Sequence, residues 1–132
     1  TKVILPKELK YTATHEWVKI RGRTAYMGLT EFALEGLGEV LNLELPIKED
    51  ELLVGVVLGD VETTDVMHEI TSPVEGLVAE TNKAILKNPG LVTKDPYKRG
   101  WLLKIKLCIP HRLESFLTAE DYLSQVQKKP KR

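Results

Sequence analysis

The run from Val61 to Gly76 reads Val-Glu-Thr-Thr-Asp-Val-Met-His-Glu-Ile-Thr-Ser-Pro-Val-Glu-Gly, and it gathers Glu62, Asp65, His68 and Glu69 within eight residues. An imidazole among carboxylates can ligate a divalent ion or relay a proton. One histidine with three acids lacks a closed ligand set, and a polar turn presents such side chains to water in any case, so no metal is expected. His15 stands two residues before Trp17, where it either lines a pocket or packs at an edge. Cys108 is the single cysteine, which excludes an internal disulfide and a cysteine-based zinc site and fits a reducing, cytoplasmic setting. Because it follows an apolar strand, it is expected to be a buried, inert thiol. No nucleophile with a base and an orienting partner is visible, so the chain is not expected to be an enzyme.

These side chains must be positioned by strands. Apolar and polar residues alternate in short runs through much of the chain, the period of a half-buried strand. In Trp101–Leu107 the residues Trp101, Leu103, Ile105 and Leu107 share one face and Lys104 and Lys106 the other. Leu41–Leu45 alternates likewise and is stopped by Pro46, which has no amide to donate. Trp17–Arg21 and Thr24–Gly28 flank Gly22-Arg23, a two-residue hairpin connection. Leu52–Leu58 is too apolar for a strand with one wet face and is expected in the centre of a sandwich.

Helical signals are short. Thr30 is placed to cap a helix from Glu31 to about Glu35, with Gly36 and Gly38 ending it. Asn82 caps a segment through Ala84, Ile85 and Leu86 that Pro89-Gly90 closes. Thr118 and Asp121 have capping-box spacing, and Tyr122, Leu123 and Val126 fall on one face of the terminal helix that follows. Just before it, Pro110 marks a helix start and Leu113, Phe116 and Leu117 form a small apolar patch. Gly55-Val56-Val57 and Gly76-Leu77-Val78 echo one another on either side of the polar run.

With 132 residues the chain suits one domain, taken as 1–127 with a basic tail at 128–132. Its 42% hydrophobic residues suffice for one core and its 29% charged residues for a hydrated surface. Basic and acidic residues balance at 19 each, and four of the basic ones lie in the tail. The remaining 15 basic against 19 acidic leave the body at −4. A mildly acidic body argues against nucleic acid as a partner. The most apolar stretch, Leu52–Gly59, ends at Asp60, far short of the roughly 20 residues of a membrane span. The opening residues hold no apolar h-region, so neither membrane nor secretory signal is expected.

The polar run and three separated motifs together resemble the H protein of the glycine cleavage system. That family's lipoyl segment has the form Glu-Ser-x-Lys, a short polar run, then Ile-x-x-Pro-Val-x-Gly, and Glu62, Ile70, Pro73, Val74 and Gly76 match it. Tyr11-Thr12-x-Thr14-His15-Glu16-Trp17 is similar to the family's opening, Gly28-Leu29-Thr30 to its first helix entry, and Asp95-Pro96-Tyr97-x-x-Gly100-Trp101-Leu102 to its late signature. The resemblance spans about residues 9–126. It implies a mainly β, lipoyl-domain-like barrel-sandwich of two small antiparallel sheets with short helices and a C-terminal helix. It also implies a carrier whose lipoyl arm visits a pyridoxal-phosphate decarboxylase, a tetrahydrofolate-dependent aminomethyltransferase and a flavin dehydrogenase.

The departure is Asp65, at the position of the family's lipoyl-lysine, after Glu62, Thr63 and Thr64. A stable amide needs a nitrogen nucleophile; a carboxylate gives at best an anhydride that water destroys. Lipoate is therefore expected to be absent. The expectation is a monomeric, non-lipoylated docking or regulatory module for glycine cleavage or other lipoyl-dependent enzymes, with Asp65 at the tip of a hairpin spanning Glu62 to Glu69. The alternative is a working carrier of the glycine cleavage system, or of a related sulfur-transfer system, modified on another residue.

Overall fold

The computed structural model describes residues 5–108 and 116–128. Among the described residues nine strands form two antiparallel sheets. The larger contains β1 (Lys10–Tyr11), β2 (Glu16–Arg21), β3 (Thr24–Leu29), β5 (Glu51–Leu52), β8 (Gly76–Thr81) and β9 (Leu103–Leu107) in the order β1-β2-β3-β9-β8-β5. The smaller sheet has β4 (Val40–Glu44), β6 (Val57–Thr63) and β7 (Met67–Thr71), with β6 in the middle. Helices are short: α1 (Lys83–Lys87), α2 (Leu91–Lys94) and the terminal α3 (Ala119–Lys128). The tail assigned to 128–132 thus begins inside a helix, and 129–132 lie outside the described residues.

Alternation explains the core. Val18 of β2, Ala25, Met27 and Leu29 of β3, and Leu103, Ile105 and Leu107 of β9 all point between the sheets, where they meet Leu43, Val61 and Ile70 from the smaller sheet. Gly22-Arg23 makes the expected tight turn, Gly22 having φ 58°. Asn82 caps α1 by accepting the Ala84 amide at 3.0 Å, and the Asp121 amide donates to Thr118 Oγ1 at 3.1 Å at the start of α3. Among the described residues no helix is long and apolar enough to cross a membrane.

A second cluster lies on the outer side of the larger sheet. Tyr11 and Trp17 are cross-strand partners there, and α3 lays Tyr122 on Tyr11 with ring centroids 5.1 Å apart. Leu5 and Leu9 complete this patch. Trp17 is 2% exposed and its indole N–H donates to the Pro96 carbonyl at 2.9 Å.

Several expectations are corrected. Leu52–Leu58 is not one central strand: Gly55 takes φ 80° and the chain turns from β5 into β6, leaving Leu53, Val54, Val56 and Val57 about half exposed. Hydropathy cannot show that turn, whereas a glycine in the left-handed region permits it. Residues 31–36 form successive turns and no α-helix. Thr30 is buried; its Oγ1 accepts the Phe32 amide at 3.3 Å, as a cap does, and also lies 2.6 Å from the Tyr122 hydroxyl, but only turns follow it. Leu41 sits at a register shift of β4 and is exposed, out of step with Leu43. Cys108 is exposed, just past the end of β9. Pro110 and Leu113 lie outside the described residues.

Gly28 shows how tightly the outer cluster is packed. A Cβ built there would stand 2.6 to 2.7 Å from three atoms of the Trp17 indole, whose hydrogen bond to Pro96 stops it from sliding aside. Gly28→Ala is expected to cost about 1–3 kcal/mol of stability through overpacking. Denaturant unfolding checks this, and a loss below about 0.5 kcal/mol would contradict it.

Candidate functional site

The polar run forms a hairpin whose arms are longer than the sequence suggests. β6 and β7 pair from Val57 with Thr71 up to Glu62 with Met67, leaving Thr64, Asp65 and Val66 as the connection. Asp65 is exposed at the tip. The arms flanking the turn are therefore β6 and β7, whereas Leu77–Ala79 belongs to β8 in the other sheet.

The neighbours of Asp65 are held firmly. Thr63, 5% exposed, donates from Oγ1 to the Val66 carbonyl at 2.8 Å and accepts the amides of Asp65 at 3.2 Å and Val66 at 3.0 Å. Thr64 is tied to the loop before β4: its amide donates to the Glu39 carbonyl at 3.0 Å and its hydroxyl accepts the Glu39 amide at 3.2 Å. Gly38, at φ 86°, permits this approach, because a Cβ there would collide with the Thr64 hydroxyl. The turn is thus held by the hydroxyls of Thr63 and Thr64 and by the Glu39 backbone. No lysine occurs between Lys48 and Lys83. Both of these line one groove with Leu45 and Pro46, beyond the end of β4 that lies away from the tip.

Strand alternation separates the suspected metal cluster. His68 is opposite Val61 and points inward with Ile70, while Glu62 and Glu69 point to solvent. Burial lowers the His68 pKa, and its Nε2 has no hydrogen-bond partner. Among the described residues no group of three histidine, cysteine or acidic side chains is arranged to hold a metal. Glu75 is also apart from the tip; it precedes β8, where its carbonyl accepts the Cys108 amide.

Next to the foot of the hairpin lies a cleft of 620 Å³ lined by Tyr11, Thr14, Glu16, Thr71, Ser72 and Phe116 among others. Glu16 is 1% exposed. Its Oε1 accepts from Thr12 at 2.7 Å and Thr14 at 2.6 Å, and its Oε2 accepts from Thr71 of β7 at 3.2 Å. Sequence reasoning passed over this role, although Thr12, Thr14 and Glu16 at spacings of two were its visible sign. His15 adopts φ 75° and brings Nδ1 to 2.6 Å from the Tyr122 hydroxyl, so it is half-buried and engaged with α3. None of these groups forms a nucleophile-base pair.

Burial raises the Glu16 pKa, against the opposing hydrogen bonds from Thr14, Thr12 and Thr71. A raised carboxyl pKa means that the folded state keeps a proton the unfolded chain has lost. Its stabilising contribution is complete below the unfolded pKa and declines as pH rises through the folded one. Glu16→Gln keeps an oxygen for Thr12 and Thr14 and has no charge to desolvate. Its urea midpoint is expected to gain on that of the wild type as pH rises above about 4, whereas a difference independent of pH would refute a strained charge at Glu16.

Comparison with known proteins agrees with this architecture. The profile of the family described as glycine cleavage H-protein matches residues 9–129. The chain is 38% identical over 119 residues to the glycine cleavage system H protein of Carboxydothermus hydrogenoformans, covering 90% of this chain and 92% of the relative. It is 41% identical over 122 residues to that of Nostoc punctiforme, covering 92% and 95%. The crystal structure of a glycine cleavage system H protein from Mycobacterium marinum superposes with a TM-score of 0.85 at 29% identity, over 93% of this chain and 99% of that one. A nine-strand sandwich with a braced β6–β7 hairpin, matched along nearly its whole length by relatives of that one name, belongs to the glycine cleavage H-protein family.

Proposed function

We propose that this chain is a non-lipoylated H-type module that docks lipoyl-dependent enzymes without carrying the arm. The observation behind the proposal is Asp65, exposed at the hairpin tip where the family's resemblance puts the lipoyl-lysine. A carboxylate offers no amine for an amide bond, and the absence of any lysine between Lys48 and Lys83 leaves none within the hairpin. The bracing of Thr63 and Thr64 supports a retained recognition surface, since the turn keeps its form with the arm missing. The module makes and breaks no bonds itself; its part is to place a surface against a partner.

The partners proposed are the glycine cleavage enzymes: the pyridoxal-phosphate decarboxylase, the aminomethyltransferase and the flavin dehydrogenase. Glu62 and Glu69 on the hairpin flank Asp65 with negative charge, which favours cationic partner surfaces and faster encounter at low salt.

Incubation with a lipoate ligase, ATP and lipoate tests the first half of this reading. The wild-type mass is expected to stay unchanged, and Asp65→Lys is expected to gain a single lipoyl increment because the surrounding turn is intact. Lipoylation of the wild type at any lysine would overturn the reading and favour a carrier modified elsewhere. Titration calorimetry against the three enzymes from the same source tests the second half. Binding is expected at low salt, weaker near physiological salt and weaker again in Asp65→Asn, and no heat of binding with any of the three at low salt would remove these partners.

A further inference from the structure

Cross-strand register sorts the charges of the sandwich onto opposite sides. On the solvent side of the smaller sheet, Glu44, Asp60 and Glu69 stand directly opposite one another across β4, β6 and β7, and the next row is Asn42, Glu62 and Met67. On the solvent side of the larger sheet one row across β2, β3, β9 and β8 is Lys19, Tyr26, Lys104 and Glu80. The adjoining row is Arg21, Thr24, Lys106, Leu77 and Glu51, reaching β5. Four cations therefore form a grid on β2 and β9; Glu80 stands directly opposite Lys104, whose Nζ is also 5.8 Å from the centre of the Tyr26 ring, and Glu51 lies at the far edge. Between described residues the one ion pair joins Arg99 to Asp95, outside both grids.

On the acidic face directly opposed carboxylates, Glu44 with Asp60 and Asp60 with Glu69, repel across the sheet, so that face gains from a counter-charge brought from outside. The spacings of the two faces correspond because both are sheets. Strands about 4.8 Å apart put Glu44 and Glu69, two strands removed, about 10 Å from each other, and Lys19 and Lys104 likewise; residues two apart along a strand are about 7 Å apart on both faces. An acidic sheet surface is the complement of this cationic one, and the molecule carries such a surface on its other side. An apolar feature adds to the match. Beside Lys19 and Arg21 runs a groove of 490 Å³ lined by Trp17, Tyr26, Tyr97 and Trp101, with Glu8 and Lys98 at its margin, and the acidic face carries Met67 at 58% exposure. A thioether against aromatic edges is a favourable contact. Zero formal net charge removes overall repulsion between copies.

We propose that the chain self-associates head to tail, the acidic outer face of the smaller sheet of one copy resting on the cationic outer face of the larger sheet of the next. The contact is heterologous and leaves both ends open, so it extends into short chains instead of closing as a two-fold dimer. It replaces the monomer expected from sequence at high concentration and low salt. It also covers the carboxylates beside the Asp65 turn, so self-association and the docking of cationic partners compete for one face.

Sedimentation equilibrium of the whole chain tests this with two charge-reversed doubles, Lys19→Glu with Lys104→Glu and Glu44→Lys with Glu69→Lys. Wild-type average mass is expected to rise with concentration at about 0.01 M salt, with an association constant falling at least about tenfold by about 0.3 M. Each double alone is expected to stay monomeric, because the charge complementarity between its two outer faces is gone. An equimolar mixture is expected to associate, because the native acidic face of the first meets the native cationic face of the second. Circular dichroism establishes that the doubles fold, and Arg21→Glu with Lys106→Glu, both exposed, replaces the first double if it does not. A wild type that is monomeric at low salt overturns the proposal and leaves the cationic face to an acidic segment of another protein. Doubles that still associate alone, or a mixture that stays monomeric while the wild type associates, overturn it as well.

Discussion

One carboxylate removed from water ties the hairpin to the rest of the molecule. Glu16 begins β2 in the larger sheet, and its oxygens accept hydroxyl hydrogen bonds from Thr12 and Thr14 of the preceding turn and from Thr71 at the end of β7 in the smaller sheet. A buried charge without such donors would cost several kcal/mol, so the three threonines must be held where they are for the fold to tolerate it. That requirement fixes the β1–β2 turn, in which His15 takes a left-handed backbone, and it fixes the foot of the hairpin. The two sheets are thereby joined by polar contacts as well as by the apolar core between them.

With the foot fixed, the rest of the hairpin follows from the period of two. Ile70 and Val61 point into the core, so His68 must also point inward, and Glu62, Asp60 and Glu69 must point out. A shift of one residue would bury the acids and expose the apolar residues, which makes the register strongly specified. Thr63 and Thr64 then shape the turn through short-range hydrogen bonds, and Gly38 allows the neighbouring loop to close on it. The hydrogen bonds that shape the turn come from Thr63 and Thr64 and involve Asp65 only through its amide.

The same alternation gives the molecule two unlike outer faces. Acids on β4, β6 and β7 and cations on β2 and β9 come from strands far apart in sequence, and the overall charge balance hides the division entirely. Like charges facing one another across strands cost some stability, typically a few tenths of a kcal/mol per exposed pair. Such surfaces favour contact with counter-charged surfaces over stability of the isolated domain.

Much of this was legible from the residues. Leu103, Ile105 and Leu107 announce β9 by alternation, Gly22-Arg23 its hairpin, and Asn82 and Thr118 their helices, because each signal is local and its physics acts over a few residues. The family motifs located the hairpin and Asp65 at its tip. Local signals failed where a distant residue decides the outcome. Thr30 caps the turn after it, yet no helix follows and its hydroxyl also meets Tyr122, 92 residues away. Leu52–Leu58 looks like a buried strand, yet Gly55 turns the chain to the surface. Cys108 was read as buried, although it stands one residue past the last inward position of β9. Glu16 as the joint between sheets, Glu44 and Asp60 as members of the acidic face, and the cationic grid opposite appeared only in the tertiary structure. The sequence by itself determined which residues alternate and which turn; strand pairing decided which alternating runs lie side by side, because hydrogen bonds between strands join residues that no sequence interval relates.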